Sequence, residues 1–216
     1  MKTVIAIDGP AASGKSSVAR ELSVRLDIAY VNSGTFYRAL TWWVLHEGAD
    51  PNSVKEVSDV IAATELRSGF NGPIAFLLLN GTEATPHLRD NEVNRNVSAV
   101  SRVSLVREHL MTHLHRLASE KNVVMEGRDI GSVVFPDTPY KFYIDASPEV
   151  RVQRRQAQGQ HDEIATRDRI DSSRPNAPLI IAEDALVIDS THLTIDGVVG
   201  EVIGRLKLRG LSLPLQ

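Results

Sequence analysis

Thr3-Val4-Ile5-Ala6-Ile7-Asp8-Gly9-Pro10-Ala11-Ala12-Ser13-Gly14-Lys15-Ser16-Ser17 changes pattern twice. The run Thr3–Ile7 is short, apolar and β-branched, which predicts a buried strand. From Lys15 the period changes. Val18, Leu22 and Leu26 recur every four residues with Ala19 beside them, the single apolar stripe of an amphipathic helix. Between strand and helix lies the Walker A pattern: Gly9 and Gly14 separated by four residues, then Lys15 and Ser16. Small residues let the backbone wrap closely round a triphosphate, with N–H groups and the helix N-terminus directed at the anion. In that arrangement Lys15 bridges the β- and γ-phosphates, and Ser16 coordinates Mg2+. With glycine near 7% of residues, a chance match in such a chain has a probability on the order of 1%. A tight turn with a solvated lysine is the bland alternative, and it leaves the strand before and the helix after unexplained.

Outward from this start, strands and helices alternate. Asp27–Val31 reads as a second strand and Ser33–Leu45 as a second helix, capped by Asn32 or Ser33. Trp42 and Trp43 read as core or rim packing. Residues 54–66 read as a modest helix, interrupted afterwards by Gly69, Gly72 and Pro73. Ile74–Leu79, Asn80-Gly81 and Thr82–Thr85 form a hairpin pattern, marking a small insert. Asn91–Ala118 reads as two helices with a break near Ser98–Ser104. Asn122–Met125, Lys141–Ile144 and Ala185–Ile188 are further strands. Pro148–Arg174 is an arginine-dense helical region, and Ile195–Leu208 a closing helix. Apolar strands alternating with helices predict an α/β fold with a parallel sheet covered on both faces.

Composition narrows the function. The 216 residues include 27 acidic and 24 Lys or Arg side chains, a net charge of -3 that lacks the positive excess of a nucleic-acid wrapper. With no cysteine, disulfides, thiolate metal sites and cysteine nucleophiles are excluded. Asp8, Gly9 and Pro10 break the N-terminal apolar run too early for a signal peptide, and no stretch approaches the roughly 20 apolar residues of a membrane span. The expectation is a cytoplasmic protein with no membrane and no nucleic-acid polymer as partner.

Walker A alone does not separate a kinase from an ATPase or a GTP-driven switch, but a guanine-reading Asn-Lys-x-Asp sequence is absent. Instead, Ser33-Gly34-Thr35-Phe36-Tyr37-Arg38 and Glu126-Gly127-Arg128-Asp129 each follow a strand, where ligands collect in a parallel sheet. Arg167, Asp171 and Arg174 share a face at helical spacing. Read blandly, these are solvated ion pairs worth little to stability. Together they suit a phosphoryl acceptor site, since arginine's fork matches two phosphate oxygens. Carboxylates such as Asp129 and Asp171 can bind amino or hydroxyl groups of the acceptor. An acceptor that is itself a phosphate oxygen needs no separate base.

Over essentially its whole length the chain resembles the bacterial-type cytidylate kinases, a branch of the nucleoside monophosphate kinases. The resemblance rests on Ile7-Asp8-Gly9-Pro10, Asn32–Arg38, and Glu126-Gly127-Arg128-Asp129 with its continuation to Val133-Val134-Phe135-Pro136. It extends through Phe142–Ser147, Arg167-Asp168 with Asp171 and Arg174, and Ala185–Thr191. It implies one kinase domain over 1–216 with a five-stranded parallel sheet in order 2-3-1-4-5. The core would span about 1–53 and 105–216, with a monophosphate-binding insert at about 54–104 and a lid at about 155–165. It implies reversible transfer of the γ-phosphate of ATP to CMP or dCMP, with Mg2+ bound alongside ATP; a monomer is the expectation for the assembly. The alternatives are a kinase for UMP or dTMP, or an ATP-driven switch.

Carried over by position, Gly9–Ser17 bind ATP, and Lys15, Arg128, Arg155 and Arg174 are catalytic. Arg38, Arg128 and Arg174 hold the acceptor phosphate; Ser98, Arg107 and Asp129 read cytosine, with Ser33 nearby. Arg167 and Asp171 face the sugar and phosphate, and Arg151, Arg154 and Arg155 serve the lid. Two positions depart from the family pattern: Asn32 stands for an Asp, and Ser104 for a Pro.

Cytosine offers a 4-amino donor where uracil has a carbonyl, so an ionised Asp129 matches one base and opposes the other. An unpaired polar group in a closed site costs about 1–3 kcal/mol, roughly one to two decades in kcat/KM. Asp129→Ala is expected to lose CMP activity and narrow the CMP/UMP preference, whereas Arg38→Ala is expected to damage both acceptors equally. Measuring kcat/KM for both monophosphates on the three proteins checks this; an unchanged ratio in Asp129→Ala would remove base reading from that residue.

Overall fold

The apolar opening run becomes β1 (Val4–Asp8), buried at every position, and the glycine turn delivers the chain into α1 (Lys15–Arg25). In this computed structural model, which describes residues 2–157, 164–174 and 177–211, the chain continues through β2 (Ala29–Asn32), α2 (Ser33–His46) and α3 (Val54–Ala62). Then come β3 (Leu66–Asn71), β4 (Ile74–Leu79), β5 (Thr82–Glu83), α4 (Asn91–Ser101) and α5 (Ser104–Glu120). The remainder is β6 (Val123–Glu126), β7 (Tyr140–Asp145), α6 (Pro148–Ala157), α7 (Ile164–Ser172), β8 (Leu186–Asp189) and α8 (Ile195–Leu208). Most of the expected lid, residues 158–163, lies outside the described residues. Two compact units emerge, one from residues up to Val31 and from Ala118 onward, the other from Asn32–Leu117.

The first unit is built on a sheet in the order β2-β6-β1-β7-β8. Central β1 pairs in parallel with β6 (Ile7 opposite Glu126) and with β7 (Asp8 opposite Tyr143). β7 pairs in parallel with β8, which brings Asp145 level with Asp189. The register therefore sets Asp8, Glu126 and Asp145 along one rim, at the carboxyl ends from which the ligand-binding turns of a parallel sheet emerge. Ile5, Ile7, Val124, Phe142 and Ile144 pack with Val18 and Leu22 of α1 and Val198, Val199 and Val202 of α8. Each such fully buried large side chain stabilises the fold by about 1.5–3 kcal/mol.

In the second unit Asn32 caps α2, its Oδ1 accepting from Thr35 N at 3.1 Å, while Ser53 caps α3 through Glu56 N. The cap needs only a side-chain oxygen, so the Asn32 departure leaves it intact. Trp43 is core: it is buried, and its indole N–H donates to Thr64 Oγ1 at 2.9 Å. Trp42 sits at the rim, stacked on the rings of His46 and His87 at 5.0 and 4.9 Å.

Two expectations change here. The helix expected over 54–66 ends at Ala62, and Leu66 begins a strand that pairs antiparallel with β4 from Leu66↔Leu79 to Asn71↔Ile74. Gly69 does not interrupt it: the ring of cross-strand Phe76 lies where a Cβ would be, 2.9 Å from Cζ, and covers the bare backbone. Asn80 and Gly81 make the expected turn at φ 48° and 80°. The returning strand is only Thr82–Glu83, because the chain passes into a 3-10 turn at Thr85–His87 whose Pro86 has no N–H to donate.

Trp43→Phe is expected to cost about 1–3 kcal/mol, since it removes the bond to buried Thr64 and leaves space beside it. The urea midpoint of the variant against wild type measures this, and an unchanged midpoint would contradict it.

Candidate active site

In the first unit the turn between β1 and α1 is fixed by close approach. Gly9 has φ 151°, and a Cβ there would lie 2.1 Å from the Ile144 carbonyl oxygen, so no side chain fits. Gly14 (φ 93°) and Ala12 (φ 59°) are left-handed. Gly14 leads into α1, whose first turn carries no acidic residue and no side-chain cap, a helix N-terminus suited to an external anion. Ser16 and Ser17 are exposed there. Lys15 is buried, with Nζ donating to the Pro10 carbonyl at 3.1 Å.

The carbonyls of the turn are held by cations. Arg128 Nη1 donates to Gly9 O at 2.9 Å, Arg151 Nη1 to Ala11 O at 3.2 Å, and Arg154 Nη1 to Ser13 O at 3.2 Å. Ser190 Oγ also donates to Ser13 O at 2.8 Å, and Arg154 Nη2 to the Ser190 carbonyl at 2.8 Å. Arg128, Arg151 and Arg154, singled out in the sequence for phosphates, all touch the turn's own carbonyls. Arg155 is half-buried on the same helix, and the side chain of Arg167 lies outside the described residues.

The Gly-Arg-Asp segment is tied to the turn by a residue to which the sequence assigned no site role. Asp8 is buried and accepts from the backbone N–H groups of Ile130 at 2.8 Å and Gly131 at 2.7 Å. Burial pushes its carboxyl up to about 7, with neighbouring Asp129 adding to the rise against the two N–H bonds and Lys15. An acid closing a wholly apolar strand was the available signal. Asp129 is buried beside it, at the start of a π-turn over Ile130–Val134. Arg128 Nε binds Asp171 Oδ2 at 3.0 Å, and Arg174 pairs with the other oxygen, Oδ1. Asp171 is 2% exposed, so this is an internal brace between two arginines and not the solvated helix pair of the bland reading.

The other candidate residues lie in the second unit. Arg38, on α2, donates to Gly34 O and to Asn94 Oδ1, both at 3.4 Å. Ser33 and Ser98 are buried. Arg107 is also buried, with Nη1 donating to Ser101 O at 3.3 Å and its guanidinium 5.5 Å from the Tyr37 ring centroid. Ser101 Oγ donates to Ser98 O, so Ser98 and Arg107 are linked across the break between α4 and α5. Asn94 gave no sequence signal, and Tyr37 stood in the Ser33–Arg38 segment without a role of its own, since both contacts depend on which helices meet.

An α/β sheet with a glycine turn at the end of its central strand, a lysine in that turn and arginines around it defines a P-loop kinase. A family model described as cytidylate kinase matches residues 5–208. The chain is 41% identical to a cytidylate kinase of Anoxybacillus flavithermus, over 94% of this chain and 95% of that protein. It is 40% identical to one of Rhodococcus jostii, over 94% and 93% respectively. It also matches a bifunctional pantoate ligase/cytidylate kinase of a Synechococcus strain, 38% identical over 91% of this chain and 43% of that longer protein. The chain belongs to the cytidylate kinase family and is a phosphotransferase.

The Asp8 carboxyl carries a pH signature. Unfolded it ionises near 3.8; folded it keeps its proton up to about 7. The unfolded chain releases the proton first, so the stability this group contributes is complete below 3.8 and is lost as pH rises through about 7. Wild-type stability is expected to fall by a few kcal/mol relative to Asp8→Asn across that window. Urea unfolding of both proteins from about pH 4 to pH 8 checks it; a constant difference would contradict it.

Proposed function

We propose that the chain carries out phosphoryl transfer as follows. The reaction is reversible ATP-dependent phosphorylation of CMP or dCMP, giving ADP and CDP or dCDP. The γ-phosphate passes in line to the acceptor's phosphate oxygen, with no covalent enzyme intermediate. The observation that carries the reading is the turn itself: Gly9–Ser17 presents an uncapped helix N-terminus, with the turn's carbonyls engaged by arginines and serine.

Lys15, Arg128, Arg155 and Arg174 stabilise charge on the moving phosphoryl group. Arg38, Arg128 and Arg174 take the acceptor phosphate, Arg167 and Asp171 its sugar side, and Ser98, Arg107 and Asp129 the base, with Ser33 nearby. Arg151, Arg154 and Arg155 follow the moving phosphoryl group. The five strands β2-β6-β1-β7-β8, numbered among themselves along the chain, run 2-3-1-4-5, which supports the expected core sheet. In this reading the chain is one kinase domain, its core about 1–53 and 105–216 and its monophosphate-binding insert about 54–104.

Mg2+ supplies charge neutralisation along the phosphates when bound. The exposed Ser16 hydroxyl at the α1 N-terminus fits a ligand shared with nucleotide and water. Among the described residues there is no cluster of three or more His, Asp or Glu side chains able to hold a metal by itself. Among the described residues, no helix is long and apolar enough to cross a membrane. We place the enzyme in the cytoplasm as a monomer acting on small molecules, not on a nucleic-acid polymer.

Lys15→Ala is expected to lower kcat by several orders of magnitude with an unchanged circular dichroism spectrum, because its charge matters most as charge shifts during transfer. A coupled ADP-release assay with CMP, dCMP, UMP, AMP and dTMP, run on wild type and variant, tests both activity and acceptor. A fully active variant would remove the turn assignment, and ATP hydrolysis indifferent to every monophosphate would remove the acceptor.

A further inference from the structure

Asp168, on α7, has no role in the scheme above, yet it reaches the phosphate-binding turn. Its Oδ1 accepts from the backbone N–H of Ala11 at 3.1 Å, and its Oδ2 pairs with Arg151. Arg151 Nη1 donates in turn to the Ala11 carbonyl at 3.2 Å. One ion pair thus grips both backbone polar groups of a single turn residue. The two side chains are only 13% and 16% exposed, so their charges are weakly screened.

The chemistry of this contact is that of a bound phosphate oxygen: an anionic acceptor on a loop N–H, within reach of a guanidinium. The turn's carbonyls are held by cations and a hydroxyl, as loop bracing requires. Ala11 N–H is held by an anion, which is what the turn is shaped to receive from outside. A phosphate oxygen and the Asp168 carboxylate cannot both take this donor, and like charges repel at such range.

We propose that Asp168 is a placeholder anion, competing with the polyphosphate of the nucleotide for the Ala11 N–H and for Arg151, and thereby setting donor affinity. The inference rests on Gly9–Ser17 being the phosphate-binding turn. Asp168 is a positioning residue: it keeps Arg151 at the Ala11 carbonyl, and on displacement Arg151 exchanges one anionic partner for another.

Tripolyphosphate and ATP serve as probes in calorimetric titrations of the full chain, alongside steady-state kinetics. Asp168→Asn is expected to bind both about tenfold more tightly, the worth of one charge-assisted hydrogen bond. KM for ATP falls by the same factor while kcat does not rise. Asp168→Ser shifts binding in the same direction, so the result does not hang on one variant's folding. Asp168→Glu, which keeps the charge, stays near wild type, as does Glu149→Gln, a charge removal at the exposed start of α6. Unchanged or weaker binding in both Asp168→Asn and Asp168→Ser overturns the proposal in favour of a brace. Equal tightening in Glu149→Gln overturns it in favour of overall charge. Lys15→Ala separates the two readings. If it binds tripolyphosphate as tightly as wild type, the turn assignment falls and the placeholder with it. If it binds weakly while the Asp168 variants fail to tighten, only the placeholder falls.

Discussion

A backbone that must point its N–H groups at an anion leaves its carbonyls on the other side, and those need donors. The rest of the site follows from this constraint. In the Gly9–Gly14 turn the carbonyls of Gly9, Ala11 and Ser13 receive Arg128, Arg151 and Arg154, with Ser190 sharing the last. Buried backbone groups are almost always paired, and a guanidinium can satisfy a carbonyl while keeping other donors free. In the proposed reading, the same arginines that shape the turn are thereby stationed beside the phosphates. Bracing and electrostatics share one set of side chains.

A second tier of carboxylates aims those arginines. Asp171 sits between Arg128 and Arg174, and Asp168 holds Arg151. Asp8 fastens the Ile130–Gly131 backbone to the end of β1. Each acid is withdrawn from water and has a polar partner, as buried carboxylates require. Such pairs contribute little net stability because desolvation offsets their attraction. In the proposed reading their value is geometric: arginine forks are fixed before the substrate arrives, so less ordering remains to be done during transfer.

The fold was legible where one stretch of chain decides its own fate. The strand–turn–helix of Thr3–Ser17, the helix over Ile195–Leu208 and the Asn32 cap all follow from local pattern. The β3 strand was not. Leu66–Asn71 carries glycine and looks like a break until Phe76 covers Gly69 from the opposite strand. Trp43 was readable as packing, but its bond to Thr64 requires knowing what lies beside it.

At the site, the sequence by itself determined the residue types and the order in which they leave the sheet: the phosphate turn, the Gly-Arg-Asp segment, and the acid–arginine helix near the end. These are local facts of spacing, and family resemblance sharpens them. Tertiary structure alone decided the pairings. That Asp171 chelates two arginines, that Asp8 holds residues more than a hundred positions away, and that Asp168 sits on Ala11 N–H are consequences of strand order and register. An acid's role depends on which donors surround it, and those donors come from segments far apart in the chain. A carboxylate in a one-dimensional sequence has a charge; only packing gives it a partner.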